Sequence, residues 1–154
     1  KKGVSKHSKK VTILIRKEKE CGLFDIQTYK RFAKNVAKNR NDLRKRDSDF
    51  KKKKKKVIGY GASAKGNTML NYFKLNLDYI VDDNPLKWGL VTPGRNIPIK
   101  SPRVLQKEQE NLYIIIMSWN FYKEIVSKIK KLRGNKYHDS AILYIPKVTL
   151  NPIS

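Results

Sequence analysis

The residues best suited to chemistry lie in one short run, residues 57–68. The run contains the spacing Gly59-x-Gly61-x-x-Ala64, the Gly/Ala variant of a dinucleotide-binding turn. Such glycines permit a tight turn and let a phosphate reach the backbone, and the helix that follows offers N–H groups and a partial positive charge to an anion. The pattern predicts a phosphate-containing ligand. The alternative is that the glycines serve only the close packing of a helix on a strand.

Polar side chains follow the glycines in the first turn of the predicted helix. Asp82 ends the next predicted strand, where an acceptor for a ribose hydroxyl belongs in this type of turn. Nicotinamide cofactors are one class of ligand, but the number of side-chain donors makes other nucleotides competitive. The residues of this predicted site near the turn are Gly61, Ser63, Lys65, Gly66, Asn67 and Thr68.

An alternation of strands and helices must position these residues. The apolar runs are continuous, which is typical of strands buried in a parallel sheet. We therefore predict an α/β fold, a Rossmann-like open parallel sheet of about four to five strands flanked by helices. Trp119 and Asn120 follow one of these strands, at the edge where ligands bind in open α/β sheets. The predicted strands cover residues 57–60, 77–81, 112–117 and 141–145, with a short extended segment at residues 97–99, and the predicted helices cover residues 65–73 and 120–132.

The first third of the chain precedes this alternating pattern. Residues 1–10 are basic and polar, and we expect a flexible start. Residues 11–56 predict a helical lead-in, with a first helix that stops at Gly22 and a second that Asp25 caps. The nucleotide-binding domain is predicted over residues 57–150.

The charge distribution bears on possible partners. The chain has 154 residues and a formal net charge of +23, which is typical of proteins that bind nucleic acid. Most of the excess lies before residue 57, including the run Lys51 to Lys56. Cations suit the end of a helix, so we interpret this run as a solvated helix end, with a polyanion-binding surface as the alternative. No apolar run is long enough to span a membrane.

Other candidate groups suggest no catalytic residue and no metal site. Cys21 is the only cysteine, which excludes a disulfide framework or a cysteine cluster for zinc and favours a reducing, cytoplasmic setting. His7 lies in the basic start and His138 in a polar loop. Asp82 and Asp83 are adjacent on a predicted strand, where neighbouring side chains point to opposite faces.

The chain resembles the C-terminal domain of S-adenosylmethionine-dependent sugar C-methyltransferases from about residue 10 to residue 148. Several separate motifs occur in the family's order, which is more specific than one glycine-rich turn. They are residues 59–72, 83–89, 92–94, 96–99, 118–121 and 145–146.

The resemblance implies a longer enzyme with three parts. A zinc-binding N-terminal portion and an S-adenosylmethionine-binding domain would precede this domain, so neither cofactor would be bound here. This domain would hold a nucleotide-linked keto-deoxysugar, while a base in an earlier domain removes the proton beside the keto group. The chain opens on Lys1 without an initiator Met, which fits a piece of a longer protein. Alone, it is expected to lack methyl transfer activity.

The family's ligand-contacting positions carry over to the residues around the turn. Ser63, Lys65, Gly66, Asn67 and Thr68 would lie near the nucleotide-sugar, and Asp82, Asn84, Trp119 and Asn120 would border the same cleft. Asp83 departs from the family, which usually has arginine before Asn-Pro. Two rival hypotheses remain: a stand-alone module that binds a nicotinamide or another nucleotide, and a polyanion-binding protein that uses the Lys-rich first third.

Overall fold

A computed structural model describes residues 8–153 of the chain. Most of the predicted flexible start, residues 1–7, therefore lies outside the described residues, whereas Lys9 and Lys10 already belong to a helix. The chain forms two compact units, one that ends at Ala37 and one that begins at Lys38. The predicted domain boundary lies further along, at residue 57.

The first unit begins with helix α1 (Lys9–Glu20). Its N-cap is Ser8, whose Oγ accepts a hydrogen bond from the Val11 amide at 3.4 Å. Gly22 ends the helix in the left-handed conformation, with φ of +74°, which is the usual role of a glycine at this position. The predicted stop at Gly22 is confirmed.

Helix α2 (Ile26–Lys52) follows and continues from the first unit into the second. Its first turn is capped as predicted, because the Gln27 amide donates to Asp25 Oδ1 at 2.9 Å. The part of α2 in the second unit buries Asn39 and Leu43. The Asn39 amide nitrogen donates to the carbonyl oxygens of Tyr144 at 3.0 Å and Pro146 at 2.7 Å.

The second unit is built on a six-stranded sheet within the described residues. The strand order is β3-β2-β1-β4-β5-β6, the order of the doubly wound dinucleotide-binding fold. The first five strands in this order run parallel, and β6 pairs antiparallel with β5. The strands are β1 (Lys56–Tyr60), β2 (Ile80–Val81), β3 (Ile99–Lys100), β4 (Leu112–Ile116), β5 (Asp139–Leu143) and β6 (Thr149–Ile153), and the helices are α3 (Ala64–Phe73) and α4 (Tyr122–Arg133).

Strand residues alternate between the two faces of this sheet. Ile58 and Tyr60 of β1 belong to a core cluster with Ile125 and Ile129 of α4. Their neighbour Gly59 lies close to Met117. Alternate residues of β1 are thus buried on opposite faces of the sheet, as a doubly wound fold requires.

The predicted α/β fold with a helical lead-in is confirmed, and the sheet differs from the prediction in two details. β6 was not predicted, because Asn151 and Pro152 interrupt its apolar pattern. Proline is tolerated there since β6 is an edge strand. β2 is shorter than predicted and covers only Ile80–Val81. The residues before it still contact β1, because the Asp78 amide donates to the Val57 carbonyl and the Val57 amide donates to Asp78 Oδ2, both at 3.0 Å.

Candidate functional site

The glycine-rich turn connects β1 to α3, as the sequence predicts. Gly61 has φ of +91°, and a Cβ atom there would overlap the Ser118 side chain. A Cβ atom on Gly66 would lie 2.6 Å from Met117 Cε and 2.8 Å from Met117 Cβ. Both glycines are therefore explained by backbone geometry and by the close approach to the segment after β4. A role for Gly61 or Gly66 in approaching a phosphate stays a prediction.

The first turn of α3 combines one cap with two free amides. Ser63 is the N-cap, and its Oγ accepts from the Gly66 amide at 3.1 Å. The Asn67 amide donates to the Ser63 carbonyl at 2.8 Å. Within residues 8–153, no protein group accepts from the amides of Ala64 and Lys65. These two N–H groups lie at the positive end of the helix dipole, where an anion would be stabilised. That they bind a phosphate stays a prediction.

Lys65 meets two other predicted site residues at this point. Its Nζ donates to Asn120 Oδ1 at 3.2 Å and lies 5.0 Å from the centre of the Trp119 ring. Lys65 and Asn120 are exposed, and the Trp119 side chain is 39% exposed. The start of α3 and the 3-10 turn after β4 (Trp119–Phe121) thus bring a cation, an indole face and an amide together. An ammonium group beside an aromatic face is an electrostatically favourable pair.

Two further predicted residues, Asn67 and Thr68, lie one turn into α3. The Thr68 hydroxyl donates to the Ala64 carbonyl at 3.1 Å, and the side chain is exposed. Asn67 is half-buried, and its Oδ1 is inaccessible to solvent without a hydrogen-bond donor among the described residues. An inaccessible polar atom without a partner is uncommon in folded proteins.

The side chain of Asp82 contacts the backbone of the glycine-rich turn. Its carboxylate is buried, and Oδ2 accepts from the Ala62 amide at 2.7 Å while Oδ1 accepts from the Asn84 amide at 2.9 Å. Lys87 Nζ donates to the same Oδ2 at 3.1 Å and to the Ala62 carbonyl at 2.9 Å. The Trp88 indole donates to the Asp82 carbonyl at 2.7 Å. Asp82 therefore fixes the backbone of the turn, and its contact with a ligand stays a prediction.

Sequence reasoning missed Lys87 and Trp88 as parts of this arrangement. Both belong to one of the family motifs, residues 83–89, but their partners are 5 to 25 residues away in sequence. Asn84, in the same motif, accepts from the Leu86 amide at 3.0 Å and caps a short 3-10 helix (Pro85–Lys87). The exposed Asn84 side chain therefore shapes the loop that carries Lys87.

A cleft of about 340 Å³ lies beside the turn, between the carboxyl ends of β1 and β4. Here the connection from β1 leads to β2 on one side and the connection from β4 leads to β5 on the other, which is the usual ligand position in such sheets. In its wall, Asp83 accepts from the Tyr60 hydroxyl at 2.9 Å and from Lys128 Nζ at 2.7 Å. Burial, followed by the hydrogen bond to Asp83, raises the pKa of Tyr60 above its ordinary value. Tyr60 therefore remains a protonated donor to Asp83.

The remaining candidates are His7, which lies outside the described residues, His138, which is exposed, and Cys21. Cys21 is exposed in the first unit. Over residues 8–153, no three His, Cys, Asp or Glu side chains are grouped so that they could hold a metal ion. The search of the same residues finds no helix able to cross a membrane.

Comparison with known proteins identifies the family. A family model described as the C-methyltransferase C-terminal domain matches residues 1–146. The chain belongs to this family. It is also 29% identical over 128 residues to C-methyltransferase NovU from Streptomyces niveus. That match covers 81% of this chain and 30% of the relative, so the C-methyltransferase C-terminal domain spans less than a third of the relative's length.

Proposed function

We propose that this C-methyltransferase domain binds the nucleotide-linked keto-deoxysugar of an S-adenosylmethionine-dependent sugar C-methyltransferase. One observation carries the proposal. The free amides of Ala64 and Lys65 lie in the same helical turn as the Lys65 side chain, which meets Trp119 and Asn120. Two amides at a helix N-terminus, with a cation at the same place, suit a diphosphate.

The residues around the turn divide into ligand contacts and supports. The diphosphate would accept from the amides of Ala64 and Lys65 and from Lys65 Nζ, and Trp119 would offer its ring to a planar group. Asn120 orients Lys65. The predicted residues that support or border this place are Gly61, Ser63, Gly66, Asn67, Thr68, Asp82 and Asn84.

The contribution to the reaction is orientation. Methyl transfer to a sugar carbon beside a carbonyl requires that a base first removes a proton from that carbon. S-adenosylmethionine supplies the methyl group from another domain, and zinc belongs to a portion outside this domain. Holding the diphosphate fixes the reacting carbon relative to the methyl donor and to the base, which lowers the entropic part of the activation barrier. The chain alone would bind the cytoplasmic nucleotide-sugar without transferring a methyl group.

Isothermal titration calorimetry with thymidine diphosphate tests this function. Lys65→Ala removes a charged donor, so we expect the affinity to fall about tenfold. Lys130→Ala, an exposed lysine in the last turn of α4, is the matched control and should leave the affinity unchanged. Equal affinities for the Lys65→Ala variant and the unmodified chain would count against the proposal.

Titration with NADH separates the nicotinamide alternative from the proposal. In a nicotinamide site, an acidic residue at the end of the second strand accepts from the ribose hydroxyls. Both oxygens of Asp82 already accept from protein groups, which disfavours this use. We expect thymidine diphosphate to bind at least about tenfold more tightly than NADH, and the reverse order would favour the nicotinamide module.

A further inference from the structure

Both helices of the first unit carry an apolar stripe that the unit itself does not cover. We call these the apolar stripes: Val11, Leu14 and Ile15 on α1, and Ile26, Tyr29 and Phe32 on α2. All six side chains are exposed, and their spacing of three and four residues puts each set on one side of its helix. α1 buries none of its residues. A helix of 12 residues without tertiary packing is marginal in water, so α1 needs a covering partner.

The comparisons indicate where that partner comes from. The matching family is a C-terminal domain, and about 70% of the matched C-methyltransferase lies outside the aligned segment. The first unit is the part of this chain nearest to the segment that precedes such a domain. A covalently attached domain has a high effective concentration, so a modest apolar surface suffices for stable docking.

Charge argues against a second copy of this chain as the partner. Lys17 and Lys19 flank the α1 stripe and Lys30 flanks the α2 stripe. Glu18 lies within the α1 stripe, but the basic side chains outnumber it. A second copy would bring the same cations and a net charge of +23. A partner with an apolar groove and an acidic rim would instead satisfy both features of the surface.

We propose that the apolar stripes dock on the methyltransferase domain of the same enzyme, against an apolar groove with an acidic rim. This inference rests on the proposed function, which assigns the chain to a longer enzyme. The docked helices would determine where the nucleotide-sugar site is held relative to the methyl donor.

Hydrogen exchange of α1, compared between the 154-residue chain and the full-length enzyme, tests the docking. We expect α1 amides to exchange at least about tenfold more slowly in the full-length enzyme. The double variant Leu14→Gln, Ile15→Gln should remove this protection. Ile13→Gln is the matched control, because Ile13 lies on the opposite side of α1 and is 46% exposed, compared with 58% for Leu14 and 43% for Ile15. The amides of β1 and β4 report whether each variant remains folded.

Three outcomes overturn the proposal. They are equal exchange rates in both proteins, the same loss of protection in the Ile13→Gln variant, and a dimer of the 154-residue chain in sedimentation that the double variant abolishes. Titration of the same samples with thymidine diphosphate keeps the two proposals apart. Binding without α1 protection rejects the docking alone, and α1 protection without binding rejects the nucleotide site alone.

Discussion

At the residue scale, the central arrangement is a buried carboxylate that shapes a turn. Asp82 accepts from the amides of Ala62 and Asn84 and from Lys87. Buried charges require partners of this kind. The sequence indicated the place of Asp82 at the end of a strand, but its partners depend on how the following loop folds back, which a local pattern does not contain.

Lys87→Met should lower stability by loosening this arrangement. The substitution removes the hydrogen bonds of Lys87 Nζ to Asp82 Oδ2 and to the Ala62 carbonyl. We expect the free energy of unfolding in urea to fall by about 1 kcal/mol. Lys123→Met, at an exposed position of α4, should have no effect. If both variants unfold at the same urea concentration, the support assigned to Lys87 is wrong.

A second carboxylate, Glu108, gives a pH-dependent prediction. Burial alone would raise its pKa, but hydrogen bonds from Lys56 at 2.6 Å and from Tyr79 at 2.8 Å outweigh this effect and lower it. A lowered pKa stabilises the folded chain above the ordinary carboxyl pKa of 4.5, and this contribution is lost as the pH falls toward the folded value.

Glu108→Gln should therefore flatten the loss of stability below about pH 4.5. The measurement is urea unfolding across the acid range up to neutral pH. Asp42→Asn is the control, because Asp42 is an exposed carboxylate in the part of α2 that belongs to the second unit. If the free energy of unfolding of the Glu108→Gln variant falls with decreasing pH as steeply as that of the unmodified chain, the role given to the Lys56–Glu108 pair is wrong. Lys56 is thus the member of the lysine run that departs from the interpretation as a solvated helix end.

At the element scale, the glycines of α3 and its turn explain how a helix comes so near the sheet. The sequence left two interpretations open, phosphate approach and close packing. The contacts of Gly59, Gly61 and Gly66 with Met117 and Ser118 establish the packing role. The cap at Ser63 and the helix that follows were predictable from local sequence, because both depend on a few neighbouring residues.

Gly66→Ala should destabilise the chain although alanine favours helices by about 1 kcal/mol. The new methyl group would contact Met117 Cβ, which cannot move without its backbone. We expect the free energy of unfolding to fall by about 1 to 3 kcal/mol. Thr68→Ala, at an exposed position of the same helix, should change stability by less than about 0.5 kcal/mol. A Gly66→Ala variant as stable as the unmodified chain would contradict the close approach of α3.

At the scale of the whole molecule, the parallel direction of the inner strands follows from the alternation of strands and helices, since parallel strands need crossover connections. β6 escaped prediction because an edge strand with Asn151 and Pro152 lacks the apolar run of the inner strands. The meeting of Lys65 with Trp119 and Asn120 joins positions 55 residues apart. Strand positions placed both segments at the ligand-binding edge of the sheet, and the family resemblance placed them at one cleft. The contact itself was not predicted, because no local pattern connects α3 to the end of β4.

The positive charge of the lysine run should contribute little to nucleotide binding. Removing residues 1–56 is a poor test, because Asn39 and Leu43 of α2 are buried in the second unit. Replacing the exposed Lys52, Lys53 and Lys55 with glutamine keeps this packing. We expect the affinity for thymidine diphosphate to change less than about twofold at about 150 mM salt, where exposed charges are screened. A loss of tenfold or more would favour the polyanion-binding alternative.

The most direct test of a diphosphate site at the start of α3 is a ¹⁵N–¹H correlation spectrum of the 154-residue chain titrated with thymidine diphosphate. We predict the largest shifts at the amides of Ala64 and Lys65, with smaller shifts at Trp119 and Asn120. The amide of Gly66, which already donates to Ser63 Oγ, should shift less than that of Lys65. Shifts confined to other parts of the chain, or none at millimolar ligand, would contradict this site.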